Sequence, residues 1–242
     1  MAQTAATLAE RVAQYLRDKI VAKRLRPGDA LPGEIELARQ LGVSRGIVRE
    51  GRRQLVAAGL IDVSNGRRAV VSKLGAAPLD GFLANAVATR QLSVSEVLEL
   101  RQALEIAVAG FAARRRTEAD IAELARITQR MRANVGSAGY VKHDLAFHLA
   151  LARSTHNPLF GLLIESIRDA MVRSMRASHA RRRSARAFAD GQAMHEVLLD
   201  AVRRGDAAAA ESAMRAHFVS VAATLKQDGP VTVEADLKYG KS

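Results

Sequence analysis

Asn65-Gly66 sits between two short apolar runs, Leu60-Ile61-Asp62-Val63 and Ala69-Val70-Val71. A tight primed turn needs positive φ at both central positions, and Asn-Gly meets that need at low cost, so this stretch reads as a β-hairpin. Three segments with helical spacing precede it, and beyond residue 76 there is no strand alternation, only helical periodicity. One hairpin cannot support a sheet protein. The chain is therefore mainly α, with the hairpin attached to a small helical unit at its N-terminal end.

That unit is legible in outline. Leu8, Val12, Leu16, Ile20 and Val21 follow helical spacing up to Arg26-Pro27-Gly28; a second, short helix runs through Glu34 to Leu41 and breaks at Gly42; Ser44 suits the N-cap of a third, which Gly59 ends. The pattern pauses at Gly75-Ala76-Ala77-Pro78, which places a domain boundary between residues 1–75 and 76–228. The second region reads as an antiparallel bundle of about six or seven helices. One lies near Asp80–Arg90. Ser93-Val94-Ser95-Glu96 has the form of a capping box opening another toward Arg116, and Thr117 to Asp120 starts the next with acidic residues in its first turn. Further helices are expected after Gly139, as one long helix from Pro158 to about Arg182, and as two joined by Gly205. Residues 229–242 read as a polar, loose tail.

Charge narrows the function. The 242 residues carry 37 Lys and Arg against 25 Asp and Glu, and residues 1–75 hold 14 basic and 7 acidic side chains, a positive excess about three times denser per residue than in the rest. Such a balance suits a polyanion partner. Aromatics are 4% with no Trp, which disfavours base stacking on single strands and leaves duplex DNA as the better partner. With no cysteine, disulfides, thiolate metal sites and Cys nucleophiles are excluded. No apolar run approaches the ~18–20 residues that span a bilayer, and Met1 to Leu16 lacks the pattern of a signal peptide, so a cytoplasmic protein without a membrane partner is expected.

Helix, turn, helix and hairpin form the winged helix-turn-helix plan, in which the second motif helix enters the major groove with base readers on its N-terminal turns. Those turns carry Ser44, Arg45 and Arg49, with Arg52 and Arg53 further along, and Arg67 and Arg68 flank the hairpin tip. The forked donors of Arg match guanine O6 and N7 or clamp a phosphate. An Arg-rich helix alone is more often a solvated face; turn, spacing and hairpin together favour DNA contact. The stretch LPGEIELARQLGVSRGIVREGRRQLVAAGLIDVSNGRRAVV resembles the DNA-binding domain of GntR-type bacterial transcription regulators. The resemblance implies that Arg45 and Arg49 read an operator and that Gly66 shapes a wing near the minor groove. Three positions depart from the pattern. Ile35 stands where an Arg that touches DNA is usual, and Gly51 and Arg52 replace an Ala-Leu pair, so that Arg52 is expected to snorkel with its head in solvent.

In the helical region Asp144 and His148 are four residues apart and share a helix face. His195 lies 10 residues before Gly205 and His217 lies 12 after it, which makes the two level across an antiparallel pair. Three imidazoles and a carboxylate suit a divalent transition metal: zinc, nickel, manganese or iron. Each histidine alone is more simply a hydrogen-bonded core residue, and His143, His156 and His179 lack the register and read as structural or surface residues. The segments ELRQALEIAVAGFAARRRT, HDLAFHLALARSTHNPLF and MHEVLLDAVRRGDAAAAESAMRAHF resemble successive motifs of the FCD effector domain of the FadR subfamily. The resemblance implies a metal, foremost zinc, held by Asp144, His148, His195 and His217, which itself holds a small carboxylate effector. Arg101, in the first motif, is a candidate second clamp on that carboxylate; an intrahelical ion pair with Glu105 is an equal alternative.

Three functions fit to different degrees. A homodimeric regulator that binds a palindromic double-stranded operator and responds to a small organic acid accounts for both regions. A metal-dependent hydrolase leaves the winged unit unexplained, and Glu196 beside His195 turns away from the ligand face. A non-specific architectural DNA binder leaves the second region unexplained. The runs Arg114–Arg116 and Arg181–Arg183 read as solvated helix ends rather than a second DNA surface.

Overall fold

The computed structural model describes residues 6–64, 68–137, 139–182 and 184–226. The Asn65-Gly66 turn, Arg67, Arg183 and the segment 229–242 lie outside the described residues. By its contacts the chain divides into two compact units, Met1–Gly81 and Phe82–Ser242.

The first unit contains α1 (Leu8–Ala22), α2 (Glu34–Leu41), α3 (Arg45–Ala57), β1 (Ile61–Asp62) and β2 (Val70–Val71). Thr7 and Glu10 form a reciprocal capping box that starts α1, Gly42 at φ 65 stops α2 in the left-handed region, and the Ser44 hydroxyl accepts from the Ile47 amide to start α3. The strands pair antiparallel, Ile61 opposite Val71 and Asp62 opposite Val70. Segment 28–31 lies along the free edge of β2, with Leu31 N–H donating to the Ala69 carbonyl at 2.8 Å. Leu16, Leu37, Val48, Leu55 and Ile61 are fully buried and hold the three helices and the hairpin around one core.

Both departures in α3 have a packing role. A Cβ on Gly51 would stand 2.8 Å from the Ala9 carbonyl oxygen and 2.9 Å from Val12 Cβ, so α1 approaches α3 more closely than any side chain at 51 permits. Arg52 does not snorkel. It is 6% exposed, and its guanidinium donates to the Pro32 carbonyl at 2.5 Å and to Glu34 Oε1 at 3.4 Å. Turned inward, it ties α3 to the entry of α2, because a carbonyl and a carboxylate are both in reach there.

The division between units falls inside α4 (Ala77–Ala88). The second unit continues with α5 (Val94–Arg115), α6 (Glu118–Ala133), α7 (Tyr140–Arg153), α8 (Pro158–Ser166), α9 (Arg168–Arg181), α10 (Ala185–Arg204) and α11 (Ala207–Lys226). α5 packs chiefly on α11, α10 on α11 and α6 on α7, around a core that includes Leu124, Met131, Phe147, Leu151, Ile164 and Met171. The Ser93–Glu96 and Thr117–Asp120 boxes start α5 and α6, and Gly205 at φ 73 closes α10. The single helix expected over 158–182 is two. Ile167 interrupts it at φ −105, ψ 14, and the Ser166 hydroxyl donates back to the Leu163 carbonyl, a competing local bond that bends helices. Of the arginine run 114–116, Arg116 donates to the Val202 and Arg203 carbonyls at the end of α10, and Arg114 and Arg115 lie over the Phe111 ring.

Candidate metal centre and DNA-contact helix

Three helices of the second unit deliver the candidate ligands. Asp144 and His148 project from one face of α7, His195 comes from α10 and His217 from α11. Gly205 turns α10 back on α11 and sets the last two side by side, with ring centroids 4.7 Å apart. His148, His195 and His217 each offer a nitrogen, all within 4.8 Å of one another, and all three are buried. Asp144 Oδ1 lies 3.0 Å from His195 Nε2 and 3.3 Å from His148 Nε2.

The second nitrogen of two rings is already committed. His195 Nδ1 is 3.0 Å from the Gly191 carbonyl, which can only accept, so Nδ1 carries the proton and Nε2 faces the cluster. His148 Nδ1 meets Glu105 Oε2 of α5, and its Nε2 is buried with no hydrogen-bond partner. This is the carboxylate–histidine arrangement that orients metal ligands. Glu105 is 1% exposed and also accepts from Arg101 Nε at 2.6 Å, so the intrahelical ion pair forms. Glu105 had a sequence signal only as the i+4 partner of Arg101; its reach to His148 depends on the packing of α5 on α7.

The charges of the cluster are strongly coupled. Burial pushes the Glu105 carboxyl up, but Arg101 and His148 outweigh it and hold it at about 2. Asp144 is likewise held well below its usual range by His195 and His148, against burial. Burial pushes His148 down, while Glu105 and Asp144 carry it up to about 9. Burial and the neighbouring His195 and His148 push His217 far down and keep it neutral, as a ligand must be. Three imidazoles and the Asp144 carboxylate thus converge on one point, and a divalent transition metal fits that donor set.

A cleft partly open to solvent adjoins this cluster and is lined by Arg101, Asp144, His217, Ser178, His179 and Arg182 among others. Arg101 is therefore both Glu105's partner and a wall of the cavity. His179, expected to be a structural or surface residue, also lines it, stacked on Tyr140 at 5.8 Å between centroids. Glu196 stays away from the cluster, bound to Arg132 and Gln192.

In the first unit, Arg45, Arg49 and Arg53 all lie on the exposed face of α3. Arg49 is 3.3 Å from Glu34 and Arg53 is 2.6 Å from Glu50, both in solvent-exposed pairs that a phosphate can displace. Ser44 is exposed, and its hydroxyl serves as the helix cap. Ile35 is 69% exposed on α2. Gly66 and Arg67 lie outside the described residues.

Residues 8–71 match the model of the gntR family of bacterial regulatory proteins, and residues 96–220 match the FCD domain. The HTH-type transcriptional regulator LutR of Bacillus subtilis (strain 168) is 32% identical over 204 residues, covering 81% of this chain and 91% of LutR. The chain belongs to the GntR family. The pairing of a GntR domain with an FCD domain is that of the FadR-type subfamily. The HTH-type transcriptional repressor NanR of Escherichia coli (strain K12) is 29% identical over 240 residues, 93% of this chain and 87% of NanR. Among solved structures, Streptococcus agalactiae GntR superposes with a TM-score of 0.66 at 27% identity, over 88% of this chain and 98% of that one. This GntR-family protein is a DNA-binding transcriptional regulator and not an enzyme, and the hydrolase alternative has no support. No helix among the described residues is long and apolar enough to cross a membrane.

Proposed function

We propose that this GntR-family protein is a cytoplasmic, homodimeric regulator whose operator binding responds to a small carboxylate held at a metal in the helical unit. The convergence of three buried imidazole nitrogens and the Asp144 carboxylate beside an open cavity carries this reading. Asp144, His148, His195 and His217 would hold the ion, zinc first and nickel, manganese or iron in its place, and Arg101 would face the acid from α5. When bound, the ion supplies a Lewis-acidic position for a carboxylate oxygen and no turnover.

Residues 1–75 form the DNA-binding domain and 76–228 the effector and dimerisation domain. Arg45 and Arg49 contact bases, Ser44, Arg53 and Arg67 contact the backbone, and Gly66 shapes the wing. Two such units on a dimer demand a palindromic, double-stranded operator. The acid changes DNA affinity only as far as it binds the two dimer states unequally.

The test is retention of genomic DNA fragments by the purified full chain at ~150 mM salt, where non-specific phosphate contacts are weakened, followed by sequencing. One or a few palindromic sites, released when zinc and candidate acids are added together, are the expected result. Uniform retention, or retention indifferent to metal and acid, would overturn the ligand-responsive reading.

A further inference from the structure

The cavity has polar lining that the metal reading does not use. Ser178 is 4% exposed, lines the cavity, and its Oγ has no hydrogen-bond partner. The next residue, His179, presents a buried Nε2 that is equally unpartnered. Arg182 lines the cavity as well. Its guanidinium lies against Gly191 of α10, within 2.6 Å of where a Cβ would stand, so the absence of a side chain at 191 is what lets it sit there. Gly191 is also the residue whose carbonyl accepts from His195 Nδ1. Of the two arginines that line the cavity, Arg101 is paired with Glu105, whereas Arg182 meets the neutral Tyr140 hydroxyl and no carboxylate of the described residues. Buried polar groups are almost always satisfied, and here an unpartnered hydroxyl and an unpartnered imidazole nitrogen stand on one short stretch with an arginine that lines the same cavity.

We infer that the acid recognised here is a compact dianion, with one carboxylate at the metal end and a second anionic group held by Arg182, Ser178 and His179. The inference rests on the carboxylate-effector reading above and adds the class of acid. A planar guanidinium binds a carboxylate through parallel hydrogen bonds, and the serine hydroxyl and imidazole complete its lone pairs. A monocarboxylate with an apolar tail would leave Ser178 and His179 unpaired and the Arg182 charge without a counter-ion.

Matched acids test this on the zinc-loaded full chain by calorimetry: malate and 2-hydroxybutyrate, which share the 2-hydroxy carboxylate and differ only in a far carboxylate against a methyl. Malate should bind about 10- to 100-fold more tightly, the span of one charged hydrogen-bonded contact. Arg182→Gln should remove most of that preference and Ser178→Ala part of it. Arg173→Gln, which takes the same charge from the exposed face of α9, should leave it in place. Zinc content is measured on every variant. Equal affinity for the two acids, or a preference that survives Arg182→Gln, overturns the dianion inference and leaves the carboxylate reading standing. Binding of neither acid to the zinc-loaded chain overturns both.

Discussion

At His148 the two ring nitrogens divide their work: Nδ1 is fixed by Glu105 and Nε2 is left bare toward Asp144, His195 and His217. Glu105 is itself anchored by Arg101, so α5 sets the direction of a ligand on α7 without touching the metal position. Glu105→Gln keeps the size and an acceptor but loses the charge, and is expected to weaken zinc binding about 10- to 100-fold, measured by competition with a chromogenic chelator. Unchanged affinity would mean that packing alone orients the ring. Spacing in the sequence was enough to pick out Asp144, His148, His195 and His217, since two depend on helix periodicity and two on distance from one glycine turn. It could not reveal Glu105, Ser178, His179 or Arg182. Their place follows from how α5, α7, α9 and α10 rotate against one another, and no local pattern records that.

Among the elements, α3 departs furthest from what its sequence suggests. Gly51 looks like a weakness, because Gly costs about 1 kcal/mol relative to Ala within a helix. Against α1 the balance reverses, since a methyl at 51 would press on the Ala9 carbonyl and on Val12. Overpacking of this kind costs about 1–3 kcal/mol. Gly51→Ala should therefore lower the stability of the first unit by about 1 kcal/mol net, seen as an earlier urea midpoint; a later midpoint would show that α1 yields instead. Capping boxes and stop signals made most helix ends readable, from Thr117 to Gly205. The break between α8 and α9 was not readable, because Ile167 is neither Gly nor Pro and the Ser166 back-bond that accompanies it is a feature of the folded turn. Arg52 escaped for a related reason: its partners, Pro32 and Glu34, are close only once α2 and α3 have packed.

At the scale of the whole molecule, the two units differ in what holds them. The first closes on an apolar core, to which the buried Arg52 adds a polar tie between α3 and the start of α2. The second gathers α5, α7, α10 and α11 around buried, paired charged groups. Removing zinc with a chelator should lower the thermal midpoint of the second unit alone. With free zinc at about 100 times its dissociation constant the ion contributes ~2.7 kcal/mol, or about 5–10 °C for a unit of this size. Scanning calorimetry with and without chelator measures it, and superimposable traces would exclude a zinc-stabilised bundle. The placement of His217 on the final helix has a further consequence, for synthesis. Chains fold unit by unit as they leave the ribosome. Everything from α1 to β2 is complete by Val71, whereas the last imidazole and the wall that α11 gives α5 arrive some 150 residues later. A newly made chain thus completes its DNA-binding unit well before its helical one.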